Sequence, residues 1–239
     1  MTWSIVVHDP SADSFAVAVA TRAFAVGASC PFARAGVGAV STQSMTNRYL
    51  GPAVLDGLAR GLSPAAAIEG ALAGDDGRGL RQVHAVDRHG RNGAWTGQNC
   101  VEWCGSLAAP GISVAGNMLA GERVIAATLE DWLAHPELNT PERLMAAMEA
   151  GEAAGGDRRG RQSAAMKLVT AEDFPDLDLR VDDHADPLAE LRRLLDLWRR
   201  TGAPGLAGSP SRANPSGFID MDAIEADWAA RGIDLRFRR

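Results

Sequence analysis

The residue with the clearest chemical potential is Thr2, which directly follows Met1. A threonine here is small enough for the initiator methionine to be removed, and removal would leave a hydroxyl and a free α-amine on one residue. Those groups are a nucleophile and its own base. An α-amine is partly unprotonated at neutral pH because its ordinary pKa lies near 8. For the dipeptide alone, an ordinary strand start is the simpler interpretation, so the surrounding elements must decide.

Two further groups of polar residues could contribute to a site. Thr42, Gln43 and Asn47 follow an apolar stretch, where they are either the wall of a substrate pocket or the cap of a helix. The segment 155–161 combines three glycines, Asp157 and three arginines, including Arg161. Arginines in such a loop can hold a carboxylate or phosphate through two parallel hydrogen bonds. A salt-bridge network that fixes the turn is an equally good interpretation.

The cysteines predict reduced thiols and no metal site. Cys30, Cys100 and Cys104 are an odd number in a long chain, which favours the cytoplasm over a secreted disulfide framework. Cys100 and Cys104 could form half of a metal site, but no second pair of ligands follows at zinc-finger spacing. We therefore expect neither a metal nor a cofactor.

The overall composition excludes several classes of partner. Of the 239 residues, 46% are hydrophobic and 23% are charged, which is typical of a globular protein. The chain has 24 basic and 30 acidic residues and no basic stripe, so no nucleic-acid partner is expected. No apolar run approaches the roughly 18 residues of a membrane span, and the first residues do not resemble a signal peptide. The sequence predicts a cytoplasmic protein without a membrane partner.

Hydrophobic periodicity predicts the elements that must position these residues. A hairpin begins the chain, with strands over 3–8 and 15–21 joined by a turn-rich segment. The remaining predicted strands cover 37–42, 82–87, 93–96, 111–115, 164–170 and 177–181. Predicted helices cover 49–60 and 124–134 and begin near Ser63, Thr140 and Pro187. Blocks of strands alternating with pairs of helices indicate an α+β fold with packed sheets and helices outside.

The domain organisation follows from composition near the end of the chain. Residues 1–201 form the predicted domain, and residues 202–217 are a linker rich in Pro, Gly and Ser. The last segment, 218–239, is too short to fold alone but carries apolar residues such as Ile224 and Trp228. We expect it to dock on its own chain or on a second subunit, and we predict a homodimer.

The layout resembles the N-terminal-nucleophile (Ntn) hydrolases, in particular the proteasome β-type subunits. The segments that carry this resemblance are 15–22, 36–43, 112–117 and 153–164. Three runs are more closely similar to a bacterial family designated domain of unknown function 1028, over about residues 2–200. They are Gly36–Gln43, Ala154–Ser163 and Leu179–His184. The resemblance implies a four-layer αββα sandwich of the Ntn-hydrolase type.

The same resemblance implies roles for individual residues. Thr2 takes the place of the nucleophile, and Asp157 that of the carboxylate that orients the site. Arg34 stands roughly where the proteasome-type subunits have a lysine, and Asn117 where they have a serine; Ala20 replaces their acidic residue.

The predicted binding residues lie on the strand and loop that flank this site. The backbone near Thr42 and Gln43 would donate to the oxyanion, and Asn47 would line the pocket. Arg161 would clamp an acidic group of the substrate, with Ser163 beside it.

The function that follows is an amidohydrolase that cleaves a small amide or peptide bond through an acyl-Thr2 intermediate. An anionic substrate is one option. The alternative is a non-catalytic binding or assembly protein that kept the fold. The absence of the lysine and of the acidic residue at position 20 favours this alternative.

Overall fold

A computed structural model describes residues 2–206 and 208–233 of the chain. Two antiparallel sheets and six α-helices within these residues give a mixed α+β architecture, as the block pattern predicts. The chain divides into two compact units, residues 1–191 and residues 192–239. Both sheets lie in the first unit, and every predicted site residue lies there too.

The larger sheet has six strands in the order β10-β9-β2-β1-β8-β7. Its strands are β1 (Thr2–Asp9), β2 (Ser14–Thr21), β7 (Gly105–Ala109), β8 (Ile112–Asn117), β9 (Ser163–Val169) and β10 (Leu177–Val181). Thr2 therefore opens a central strand, with β2 on one side and β8 on the other.

The smaller sheet has four strands in the order β3-β4-β5-β6. These are β3 (Pro31–Arg34), β4 (Gly38–Ser44), β5 (Arg81–Asp87) and β6 (Asn92–Thr96). The two sheets face each other, because β1 contacts β4 and β5 contacts β8.

Helices cover the outer face of each sheet. The pair α1 (Leu50–Ala59) and α2 (Pro64–Leu72) packs on β4 and β5 through a buried aliphatic cluster that includes Val54, Ile68 and Val83. The pair α3 (Arg123–Ala134) and α4 (Thr140–Ala153) packs on β1, β2 and β8. Ser63 and Asn139 accept backbone N–H bonds as the N-caps of α2 and α4, each followed by a helix with proline in its first turn.

The inner faces of the two sheets are apolar at one end and polar at the other. Val6, Phe15 and Val86 belong to a buried cluster between the sheets. Thr2 and Ser4 point to the same side of β1 as Val6, because side chains alternate along a strand. The polar end of this interface is where β1 begins and where β4 and β8 end.

The remaining elements refine the sequence prediction. The predicted N-terminal hairpin is confirmed, and its register sets Trp3 opposite Ala20. The short strands β3 and β7 were not predicted, because neither is a long apolar run. Helix α5 (Pro187–Leu206) continues into the predicted linker over 202–206, and α6 (Met221–Ala230) lies in the predicted docking segment. No helix among the described residues is long and apolar enough to cross a membrane.

Candidate active site

Thr2 lies at the polar end of the interface, where it is 6% exposed. Its Oγ1 is 3.2 Å from Oγ1 of Thr21, the last residue of β2. Its carbonyl oxygen is 3.4 Å from Nε2 of Gln43 and 3.4 Å from Nδ2 of Asn117. Side chains from β2, β4 and β8 therefore contact Thr2. The neighbour of its hydroxyl is the hydroxyl of Thr21.

Gln82 on β5 orients both amides that approach Thr2. Its Oε1 accepts from Nε2 of Gln43 at 2.8 Å and from Nδ2 of Asn117 at 2.9 Å. Its Nε2 donates to the carbonyl of Gly116 at 2.8 Å and to Oγ1 of Thr96 at 3.0 Å. Because Gln82 is fully buried, these bonds fix which end of each amide is the donor.

A second part of the network surrounds His84, which lies two residues after Gln82 on β5. Nε2 of His84 is 2.7 Å from Oγ of Ser4, and Nδ1 is 3.0 Å from Oγ of Ser113. Oγ of Ser4 also donates to Oε1 of Gln43 at 2.7 Å. Burial lowers the pKa of His84 to about 3, so the ring is neutral near pH 7. A buried polar layer thus continues from Thr2 into the space between the sheets.

Asp157 connects the loop after α4 to the end of β2. Its Oδ2 accepts the backbone N–H of Arg22 at 2.8 Å, and its Oδ1 accepts that of Arg159 at 2.8 Å. The guanidinium of Arg159 also pairs with this carboxylate at 3.2 Å, and Asp157 forms an isolated bridge with Leu119. Since Arg22 directly follows Thr21, the carboxylate anchors the chain next to the hydroxyl that contacts Thr2.

Two residues near the site adopt the left-handed backbone conformation. They are Ser44 with φ of 73° and Met118 with φ of 56°. Each directly follows a residue that bonds to the Thr2 carbonyl, Gln43 and Asn117 respectively. Such conformations are costly for residues other than glycine and are frequent at functional sites.

The segment after Ser44 is held by Asp75 and Arg81. Arg81 donates from Nε to Oδ2 of Asp75 at 2.9 Å and from Nη1 to the carbonyl of Met45 at 2.6 Å. Nδ2 of Asn47 also donates to Oδ2 of Asp75 at 2.9 Å. Hydrogen bonds from Arg81 and Asn47 lower the pKa of Asp75 to about 2.

Four of the predicted site residues come together in the structure. Thr2, Gln43 and Asn117 are in direct contact, and Asp157 reaches the same place through the end of β2.

Arg34 lies elsewhere. It pairs with Gly38, five residues from Gln43 on β4, which is about 16 Å at 3.3 Å per residue. Its guanidinium forms a salt bridge with Asp56 at 2.9 Å. The structure does not bring it to Thr2.

Arg161 is already paired on both sides. Its guanidinium bonds to Glu152 and, at 3.1 Å, to Asp186. These pairs fit the interpretation of the loop as a salt-bridge network. A clamp on the substrate would require Arg161 to leave two carboxylates.

The other three predicted binding residues make bonds that shape the backbone. Thr42 points to the helix side of β4, where its Oγ1 donates to the carbonyl of Asn47, and its N–H donates to the carbonyl of Cys30. Asn47 accepts the N–H of Tyr49 as it begins the turn into α1. The hydroxyl of Ser163 donates to the carbonyl of Ala23 at 2.6 Å. The N–H of Thr42 is therefore not available as an oxyanion donor.

No metal site is formed by the described portion of the chain, where no three His, Cys, Asp or Glu side chains converge. The thiol of Cys30 is buried, and burial raises its pKa to about 11, which makes it unreactive.

Comparison with known proteins confirms the resemblance to domain of unknown function 1028. Residues 2–191 match a family described as "Family of unknown function (DUF1028)". The chain belongs to this family. Among solved structures, it is similar to the crystal structure of protein SPO2555 from Silicibacter pomeroyi, itself assigned to DUF1028. The two are 30% identical with a TM-score of 0.85, and the match covers 92% of this chain and 96% of that chain. Comparison with curated proteins gives no match.

Several residues of this DUF1028 site were missed from the sequence. They are Thr21, which touches Thr2, and four buried residues of the polar layer, Ser4, Gln82, His84 and Ser113. A usable signal exists, because Ser4, Gln82 and His84 occupy alternate positions in otherwise apolar strands. Family membership assigns no activity, so the geometry must carry the functional argument.

Proposed function

We propose that this protein is an N-terminal-nucleophile amidohydrolase in which Thr2, after removal of Met1, attacks a small amide or peptide bond. The observation that carries the proposal is the position of Thr2. It opens a central strand, with its hydroxyl beside Thr21 and its carbonyl fixed by Gln43 and Asn117. An ordinary strand start does not need three neighbouring strands to fix one residue.

The reaction needs only the groups of Thr2 and a source of oxyanion stabilisation. The α-amine accepts the hydroxyl proton as Oγ1 attacks the carbonyl carbon, and it returns a proton to the departing amine as the C–N bond breaks. Water then hydrolyses the acyl-Thr2 ester by the same proton transfers. The two steps together consume the amide and one water and release the amine and the carboxylic acid.

The segment after β4 is a better source of oxyanion donors than the backbone near Thr42, because the N–H of Thr42 already bonds to the carbonyl of Cys30. Ser44 turns the backbone into the left-handed conformation. Thr46 and Asn47 follow it, and their N–H groups donate to no other group within the described residues. Arg81 and Asp75 hold this segment in place before a substrate binds, which is how oxyanion sites avoid reorganisation.

The fold also supports the proposal. Helices α3 and α4 cover one sheet, α1 and α2 cover the other, and the sheets pack face to face. We interpret this order as the αββα sandwich of the Ntn hydrolases. In that fold, the nucleophile opens a central strand.

A panel of N-acyl amino acids and short peptides tests the proposal, with release of the free amine as the readout. We expect turnover by the wild type, reduced turnover by Thr2→Ser, and a loss of at least about a thousandfold in Thr2→Ala. Thr201→Ala, an exposed threonine outside the first unit, is the matched control. Turnover that survives in Thr2→Ala would refute the proposal, and absence of turnover with Met1 removed would favour a non-catalytic binding protein.

A further inference from the structure

Arg22 lies beside Thr21, the residue whose hydroxyl contacts Thr2, and its guanidinium forms no salt bridge within the described residues. Arg22 directly follows Thr21 and is exposed. Its Nη1 donates to Oε1 of Gln162 at 2.9 Å, and no carboxylate among residues 2–206 and 208–233 forms a salt bridge with it. Gln162 is neutral and accepts from one of the five N–H donors of the side chain. The remaining donors stay available at the rim of the site.

Two exposed arginines of this region, Arg22 and Arg158, form no salt bridge with any residue that the structure describes. Asp157 is buried, and its oxygens are occupied by Arg159 and by the N–H of Arg22. Asp183 accepts from Nε2 of Gln162 at 3.1 Å, so it contacts the amide and not the guanidinium. Arg158, which follows Asp157, is exposed and forms no salt bridge with any residue that the structure describes.

The side chain of Arg22 packs against the backbone of Gly160, and the residue as a whole is exposed. Gly160 adopts φ of 106°, and a Cβ at this position would lie 3.9 Å from Cδ of Arg22. The side chain therefore lies over a residue that presents no side chain of its own. The described contacts of the Arg22 side chain are those with Gly160 and Gln162.

Resting on the function proposed above, we infer that the substrate of Thr2 is an amide that carries a carboxylate, and that Arg22 binds this carboxylate. The planar guanidinium matches a carboxylate through two parallel N–H···O bonds. Arg22 directly follows Thr21, whose Oγ1 is 3.2 Å from Oγ1 of Thr2, so Arg22 and Thr2 lie at the same end of the larger sheet. Small peptides and N-acyl amino acids have this chemistry. Arg22, rather than Arg161, is the specificity residue.

A binding experiment separates this inference from catalysis. N-acetyl-L-glutamate and its uncharged diamide are titrated calorimetrically into the full chain carrying Thr2→Ala, which cannot turn them over. We expect the acid to bind and the diamide to bind at least about tenfold more weakly. Arg22→Ala should weaken binding of the acid about tenfold or more, because hydrogen bonds to charged groups are stronger than neutral ones. Arg22→Lys should recover part of the loss.

Arg60→Ala is the matched control, because Arg60 is exposed, follows the last residue of α1 and has no salt bridge within the described residues. Unchanged affinity in Arg22→Ala, equal binding of acid and diamide, or tighter binding of inorganic phosphate than of the acid would each overturn the inference. Thermal unfolding of every variant shows whether a loss reflects folding. Turnover that depends on Thr2 without Arg22-dependent binding would refute the substrate class alone. Arg22-dependent binding without any turnover would refute the hydrolase and keep the carboxylate site.

Discussion

At the scale of single residues, the candidate site consists of ordinary hydroxyl and amide side chains whose hydrogen bonds fix the position of Thr2. Gln43 and Asn117 approach the Thr2 carbonyl, and Gln82 sets the direction of both amides. The sequence predicted Gln43 and Asn117 because they end apolar strands that resemble a known pattern. Gln82 was missed, because its role depends on how two sheets face each other, which no local pattern contains.

Replacing Gln82 tests this arrangement. Gln82→Ala would leave Nε2 of Gln43 and Nδ2 of Asn117 short of a buried acceptor, so we expect a loss of about 2 to 5 kcal/mol in the free energy of unfolding. Urea denaturation measures it, and Gln98→Ala, an exposed glutamine, serves as the control. A loss below about 1 kcal/mol would mean that the network is not tightly coupled.

At the scale of elements, the candidate site residues lie at or near the ends of strands, and the strand interiors supply the hydrophobic core. The predicted strands of the N-terminal hairpin agree with β1 and β2, because alternation within a strand is a local signal. Arg34, expected roughly where the proteasome-type subunits have a lysine, lies at the far end of its sheet from Gln43, because β3 pairs with β4 in the register that sets Arg34 opposite Gly38. Strand pairing is long-range information that one sequence does not supply.

The turn at the end of β4 gives a prediction at this scale. Because Ser44 has φ of 73°, glycine fits this backbone and a β-branched residue does not. We expect Ser44→Val to be less stable than Ser44→Gly by at least about 1 kcal/mol in thermal unfolding. The same two substitutions at exposed Thr46, whose φ is not positive, are the control. Equal stability of the two Ser44 variants would show that the left-handed turn is not required.

At the scale of the whole molecule, the interface between the sheets changes from an apolar cluster at one end to a polar layer at the other. Val6, Val17 and Val86 represent the apolar end, and His84 and Ser113 the polar layer. The α+β class could be predicted because it needs only the order of elements. The predicted homodimer concerns surfaces between molecules and stays a prediction.

His84 makes the stability of the whole molecule depend on pH. Its pKa falls from an ordinary 6.5 to about 3 in the folded state because of burial, so between these values the unfolded chain binds a proton that the folded chain does not. Stability should therefore be complete above pH 6.5 and fall on acidification by up to about 1.4 kcal/mol per pH unit. Urea denaturation of the wild type and of His84→Gln, at several pH values from 7.5 to 4, isolates this contribution. A constant difference between the two proteins over that range would contradict it.

The central claim is that Thr2 carries a free α-amine and a nucleophilic hydroxyl, and mass spectrometry after incubation with a β-lactone tests it most directly. We predict a chain that lacks Met1 and carries one acyl group, mapped to Thr2 in the N-terminal peptide and absent from Thr2→Ala. A chain that retains Met1 quantitatively, or an acyl group mapped to any other residue, would contradict the account.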